Sequence, residues 1–264
     1  MPVSRGTALI TGASSGIGEA LARQFAANEF DLIITARRET RLQEIATELG
    51  TEVKIVSCDL ASPAGVDHLI AEVGDAQIDV LVNNAGIAHN GFFQDQTTPD
   101  IENLLALNIS ALTQLTHHFL PGMINRGAGK ILNVASMASF QPVPSLAVYA
   151  ASKAFVLSLT ESLSEELRDS GVSVTALCPG LTQTDLLDEI QGSDIPPILV
   201  SSATDVARQA YDALMNREVI RIPGFTNQAA IGWAKHQPRW LIRGMGGLFA
   251  RFGSAGRAGP RRAN

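Results

Sequence analysis

The sequence predicts one α/β domain built on a doubly wound, parallel β-sheet of about seven strands, with helices on both faces. Three observations predict it. Short apolar runs alternate with amphipathic segments along most of the chain, the pattern of successive β-α units in a parallel sheet. The first run breaks at a glycine-rich turn that opens a helix, "TGASSGIG" at 11–18. The chain has 264 residues, 45% hydrophobic and only 17% charged, which suits one large core and argues against a largely disordered chain.

The elements follow in order. "TALI" (7–10) is a short apolar run that stops at a turn, the signature of a buried strand. Ile17, Leu21, Ala22 and Phe25 then recur at helical spacing. "DLIITA" (31–36) is a second strand, and "RRETRLQEIATELG" a charged amphipathic helix that Gly50 is expected to end. "EVKIVSCDL" gives a third strand reaching Asp59, and "ASPAGVDHLIAEVG" a third helix. "IDVLVNNAG" (78–86) is the fourth strand. "TPDIENLLALNISALTQLTHHFLPGMI" supplies one long helix, expected to stop near Pro121. "GKILNVAS" is a fifth strand ending at Ser136, followed by a helix from about Val148 to Asp169. "VSVTALCPG" is the sixth strand, "TDVARQAYDALMN" a helix with Thr204 as its N-cap, and "VIRIPG" the last strand. No repeat or linker divides the chain. The expected organisation is a main domain over 1–222, with a long lid-like connection at 184–203, and an extension over 223–264 rich in glycine and arginine.

Composition narrows the function classes. No run of 18 apolar residues is present, so no membrane span is expected. The segment "MPVSRGTALITGA" does not have the form of a secretory leader. Cys58 and Cys178 are far apart and belong to no Cys-x-x-Cys pair, as expected of buried thiols in a reducing compartment. A cytoplasmic location follows as the expectation. His117 and His118 are helix neighbours that point to different faces, and Glu165 and Glu166 fit a solvated face. His89 follows "NNAG", and two readings stay open for it: the mouth of an active site, or a loop surface. No metal site is expected, and no nucleic-acid partner. Net charge is −6 but uneven. Residues 219–264 carry eight basic side chains and no acidic one, which leaves 12 basic against 26 acidic residues in the first 218. The extension mixes those cations with Trp233, Trp240, Leu241 and Phe249. Three readings stay open for it: weak contact with an anionic membrane surface, a lid or subunit contact, or a partly disordered tail with short helices.

The glycine-rich turn sits where a phosphate site requires it, between the first strand and the first helix. Gly12, Gly16 and Gly18 permit a tight turn. With Ser14, Ser15 and Ile17 they offer backbone N–H groups at the positive end of a helix, where a pyrophosphate would bind. The second strand ends in "TARR". An NAD site usually has an acidic residue here for the ribose 2′-hydroxyl; this chain has Ala36, followed by Arg37 and Arg38. A guanidinium suits a 2′-phosphate, so NADP(H) is expected over NAD(H), with Arg37 as the contact and Arg38 as a solvated helix start. Asp59 and Leu60 would lie near the adenine.

Further motifs follow in order: "NNAG" at 83–86, Asn108 in "LNIS", Ser136 in "NVAS", Tyr149-x-x-x-Lys153 thirteen residues later, and "CPG" at 178–180. Together with "TGASSGIG" these resemble the classical short-chain dehydrogenases/reductases, over about residues 5–222. The basic extension resembles those of some bacterial members. The resemblance implies a Rossmann-type fold and a homo-oligomer, dimer or tetramer, formed through the two long helices. It implies a catalytic set in which Tyr149 is the acid/base. Lys153 holds the nicotinamide ribose and lowers the tyrosine pKa, Ser136 bonds the substrate carbonyl, and Asn108 holds a water in a proton relay. It also implies cofactor contacts at Asn84, Ala85 and Gly86, and, after Pro179 and Gly180, at Thr182 and Thr184 near the nicotinamide amide. Thr182 departs from the aliphatic residue usual at its position.

The chemistry is coherent without the family. Tyr149 and Lys153, four apart on a helix, share one face. Hydride transfer to a ketone leaves an alkoxide that needs a proton, and a phenol beside an ammonium can supply it. The expected reaction is therefore carbonyl/alcohol interconversion. A non-catalytic dinucleotide-binding sensor or scaffold is the alternative. Met137, Phe140, Val143, Leu146 and the 184–203 connection are expected to line the substrate side. They are mostly apolar, so the expected substrate is a small hydrophobic ketone or aldehyde.

Overall fold

In the computed structural model the described residues are 5–183, 200–224, 227–229, 231–232, 237 and 244. Thr184, most of the expected lid and the aromatic residues of the extension lie outside them. Among the described residues, seven strands form one fully parallel sheet in the order β3-β2-β1-β4-β5-β6-β7. They are β1 (Thr7–Thr11), β2 (Asp31–Ala36), β3 (Val53–Ser57), β4 (Val80–Asn83), β5 (Gly129–Val134), β6 (Val172–Leu177) and β7 (Ile220–Arg221). The helices are α1 (Gly16–Ala27), α2 (Glu39–Glu48), α3 (Pro63–Val73), α4 (Thr98–Leu105), α5 (Leu112–Arg126), α6 (Ala147–Glu166) and α7 (Ala203–Met215).

The strands are apolar runs because both faces of the sheet are covered. Along β1, Ala8 and Ile10 face a core shared with Leu21 and Phe25 of α1, while Leu9 faces the opposite core, with Leu69 of α3 and Leu115 of α5. The chain runs outward from β1 to β3 and then returns to β4 on the other side of β1. That reversal opens a crevice beyond the carboxyl ends of β1 and β4, the place where ligands bind in such sheets.

Several boundaries differ from the sequence expectation. The long helix does not stop at Pro121 but runs to Arg126, where Gly127 adopts φ 64° as a left-handed cap. Pro121 and His117 are exposed, so the carbonyl that loses its partner can turn to water, while Leu115 and Met123 keep the other face on the sheet. Upstream, residues Ala106–Ala111 form a π-helical turn between α4 and α5. Helix α2 ends without help from Gly50, which has no left-handed φ. The N-cap of α7 is Ser202, not Thr204; its Oγ accepts the Asp205 N–H at 3.0 Å and donates to the Asp205 carboxylate at 2.8 Å, the spacing of a capping box. The final strand keeps only two residues.

Candidate active site

The crevice is a cleft of about 640 Å³ that reaches from the glycine-rich turn to α6. Its phosphate end is built by close approach. Gly12 has φ 66°, and a Cβ on Gly18 would stand 2.1 Å from the Gly12 carbonyl oxygen and 2.4 Å from Asn84 Nδ2. Only glycine permits this contact, which presses the start of α1 onto the end of β1. Asn84 fastens the turn: its Nδ2 donates to the carbonyls of Thr11 (2.9 Å) and Gly12 (3.1 Å). Thr11 Oγ1 accepts the N–H groups of Asn84 (2.9 Å) and Ala85 (3.0 Å) and donates to Val82 O. Thr11 has no role in the sequence reading, although it stands next to Gly12. Ser15 is the N-cap of α1, yet its side chain caps nothing. The first N–H groups of the helix are thereby left for a ligand.

Ser14, Ser15, Gly16, Ile17, Arg37 and Asp59 line this end, with Leu60 and Cys58 beside them. Arg38 is not a bare solvated helix start. Its guanidinium donates to Ser14 Oγ and Ser14 O at 3.2 Å and so braces the turn. The Arg37 side chain is exposed and has no hydrogen-bond or ion-pair partner among the described residues. Asp59 lies two residues past β3 and accepts Ala61 N–H at 3.1 Å. Cys58 is half-buried with its Sγ 3.2 Å from Thr35 Oγ1, and burial pushes its thiol pKa up. The glycine cradle and the open helix end fit the pyrophosphate of a dinucleotide.

At the other end, Ser136 caps a 3₁₀ turn (Met137–Phe140) and accepts Ala138 N–H at 3.1 Å. Ser139 returns the bond to Ser136 N–H and donates to Lys153 O at 2.8 Å, tying this turn to α6. Tyr149 is 8% exposed. Burial raises its phenol pKa, and a hydrogen bond with Ser136 pulls it back down. Lys153 is also buried, with Nζ donating to Val134 O at 2.7 Å and lying 5.8 Å from the Tyr149 ring centroid. Burial lowers its pKa to about 8. The expectation that the lysine lowers the tyrosine pKa thus meets a phenol whose first influence is desolvation, opposed by Ser136.

Asn108 does not line the cleft. It sits in the π turn, where Oδ1 accepts Ile87 N–H and Nδ2 donates to Ile87 O, both at 2.9 Å, with a second Nδ2 bond to Ser152 Oγ at 3.1 Å. A Cβ on Gly86 would stand 3.2 Å from Asn108 Oδ1 and 3.3 Å from Lys153 Nζ, so Gly86 is the contact between them. Pro179, Gly180 and Thr182 line the cleft, and Thr182 Oγ1 donates to Gly180 O. Asn227, in the segment the sequence assigned to the extension, packs within 3.0 Å of where a Gly180 Cβ would be, and Ile231 is buried.

On the substrate side Met137, Val143 and Leu146 line the cleft as expected. Phe140 does not: it turns away to pack with Leu112, Val156 and Leu157. Gln141, Ile87 and Leu181 line it without having been singled out in the sequence. His117 and His118 are exposed on α5. Among the described residues no three His, Cys, Asp or Glu side chains come together as a metal site.

Comparison with known proteins agrees with this geometry. The family model described as short chain dehydrogenase matches residues 6–194. Sulfoacetaldehyde reductase 2 of Chromohalobacter salexigens is 41% identical over 192 residues, which is 70% of this chain and 76% of that protein. A short-chain dehydrogenase from Sphingobium yanoikuyae in complex with NADPH superposes with a TM-score of 0.78 at 33% identity, covering 98% of both chains. A short-chain dehydrogenase/reductase from Burkholderia phymatum in complex with NAD does so with a TM-score of 0.78 at 28% identity, covering 88% of this chain and 93% of that one.

Proposed function

We propose, from the premise that the chain belongs to the short chain dehydrogenase family, that it is an NADP(H)-dependent oxidoreductase interconverting a ketone or aldehyde with its alcohol. The observation that carries this reading is the meeting of Ser136, Tyr149 and Lys153 in one cleft with the glycine turn. The nicotinamide cofactor supplies the hydride in reduction and accepts it in oxidation. The protein's own part is to position and to move a proton. Ser136 and Tyr149 hold the carbonyl oxygen by their hydroxyls. Tyr149 gives that oxygen its proton as negative charge develops on it. Burial keeps the phenol protonated at neutral pH, the form reduction needs. Lys153, with its pKa at about 8, still carries charge at neutral pH. It favours the phenolate as the proton leaves and is available to the nicotinamide ribose. Asn108 holds the π turn against Ile87, beside Lys153, where a water relay would run.

The relatives bind NADPH in one case and NAD in another, so the cofactor preference rests on the chain's own residues. Arg37 is free for a 2′-phosphate, Arg38 braces the turn, and Ala36 stands where an acid would repel that phosphate. The apolar wall of Met137, Val143 and Leu146 supports a hydrophobic carbonyl substrate. The exposed Leu105, Ile124 and Phe155 on α4–α6 support a homo-oligomer. The cytoplasmic location, and weak membrane contact by the basic extension, remain part of the same reading. The test is cofactor oxidation over a panel of hydrophobic ketones and aldehydes. NADPH-dependent turnover is expected, with Arg37→Ala raising KM for NADPH on the order of tenfold and leaving KM for NADH nearly unchanged. Equal effects on both cofactors would remove the 2′-phosphate role. Tight NADPH binding with no turnover across the panel would point to a sensor.

A further inference from the structure

Most polar side chains that line the cleft already have work within the protein. Ser14 holds Arg38, Asn84 holds the glycine turn, Ser136 caps its own 3₁₀ turn, Thr182 bonds Gly180 O, and Lys153 bonds Val134 O. Three do not. Ser15 and Arg37 make no side-chain bond to any described residue, and both lie at the phosphate end, where an anionic ligand accounts for them. The third is Gln141, at the opposite end.

Gln141 directly follows the 3₁₀ turn that begins at Ser136, so it is displaced along the same wall from the reacting hydroxyls. It is half-buried, and its amide has no hydrogen-bond partner among the described residues. The cleft-lining residues nearest to it in sequence, Met137, Ala138 and Val143, offer no polar side chain. An amide in such a place carries two donors and an acceptor, and it loses hydration when a hydrophobic substrate displaces water from the cleft. A ligand that leaves it unsatisfied is penalised; one that bonds it is selected. Apart from Lys153, no described residue on this half of the cleft is charged, so a neutral polar group suits it better than an anion.

We propose that Gln141 is a specificity residue, and that the substrates are ketones or aldehydes bearing a second, neutral hydrogen-bonding group, such as a hydroxyl or carbonyl, set apart from the reacting carbonyl on an otherwise apolar skeleton. This rests on the oxidoreductase reading. The experiment compares matched pairs of ketones that differ only in a hydroxyl or a methyl at the remote position, using wild-type protein, Gln141→Met and Gln141→Leu with NADPH. Wild-type protein is expected to favour the hydroxyl member in kcat/KM by about 3- to 10-fold. Both variants should lose that preference while turning over the methyl member at least as well and binding NADPH unchanged. Equal wild-type turnover of the two members overturns the proposal and leaves the reductase reading standing. A preference that survives in a variant that still binds NADPH overturns it too. If neither variant folds, the wild-type comparison alone decides. Absence of turnover for every member overturns the oxidoreductase reading and this proposal with it.

Discussion

Tyr149 and Lys153 are adjacent turns of one helix face, and burial works on them in opposite directions. It raises the phenol pKa and lowers that of the ammonium to about 8, because a low-dielectric site disfavours whichever form is charged. For Lys153 the consequence for stability has a definite sign. Below pH 8 the native state holds a buried charge that the unfolded chain leaves in water. Between about 8 and 10.5 the unfolded chain binds the proton and the native state does not, so stability rises with pH across that window. The shift from 10.5 to about 8 corresponds to a cost at neutral pH on the order of 3 kcal/mol. Lys153→Met is therefore expected to be more stable than wild type at pH 7 in denaturant titration, with the gap closing as pH rises past 10. A gap that does not change with pH would contradict this. The tyrosine–lysine spacing and the glycine turn were legible in the sequence because both are local patterns. The brace from Arg38 to Ser14 was not, since it joins residues 24 apart. Nor was the outward turn of Phe140, which follows from how the 3₁₀ turn is aimed.

At the scale of elements, two helices are held in register by polar bonds within the core. The π turn projects Asn108 onto the Ile87 backbone and onto Ser152 of α6, and Ser152 Oγ in turn donates to Tyr149 O at 2.7 Å. The two residues are buried, Ser152 fully. The chain Asn108–Ser152–Tyr149 thus joins the π turn to the helix turn that carries the phenol. Ser152→Ala leaves a buried Asn108 donor without a partner, at a cost of about 1–3 kcal/mol. It is expected to lower kcat on the order of tenfold with little change in KM, and Ser152→Thr, which keeps the hydroxyl, should recover most of the loss. A stability loss with unchanged kcat would make Ser152 purely structural. Helix periodicity continues through 98–126, so neither the π turn nor the passage beyond Pro121 announces itself in the sequence. The strand–helix alternation does, because strands covered on both faces must be apolar throughout.

Across the whole molecule, the order of the sheet decides where chemistry is possible. Because β4 returns to the far side of β1, the two segments "TGASSGIG" and "NNAG", some 70 residues apart, meet at one crevice and lock together through Thr11 and Asn84. Ser136 and α6 close its far end. The acidic body and basic extension stay distinct in the sequence, but Asn227 beside Gly180 ties the start of the extension to the wall of the cleft. No helix among the described residues is long and apolar enough to cross a membrane. The central claim is that this cleft moves a proton through Tyr149 while the rest of the protein holds the cofactor. Tyr149→Phe removes one oxygen atom from a buried ring and leaves the glycine turn, Arg37 and Lys153 in place. The deciding measurement is NADPH oxidation by this variant with a carbonyl that wild-type protein reduces, alongside NADPH titration of both proteins. Turnover should be lost while NADPH affinity stays within about threefold of wild type; turnover equal to wild type would contradict the account.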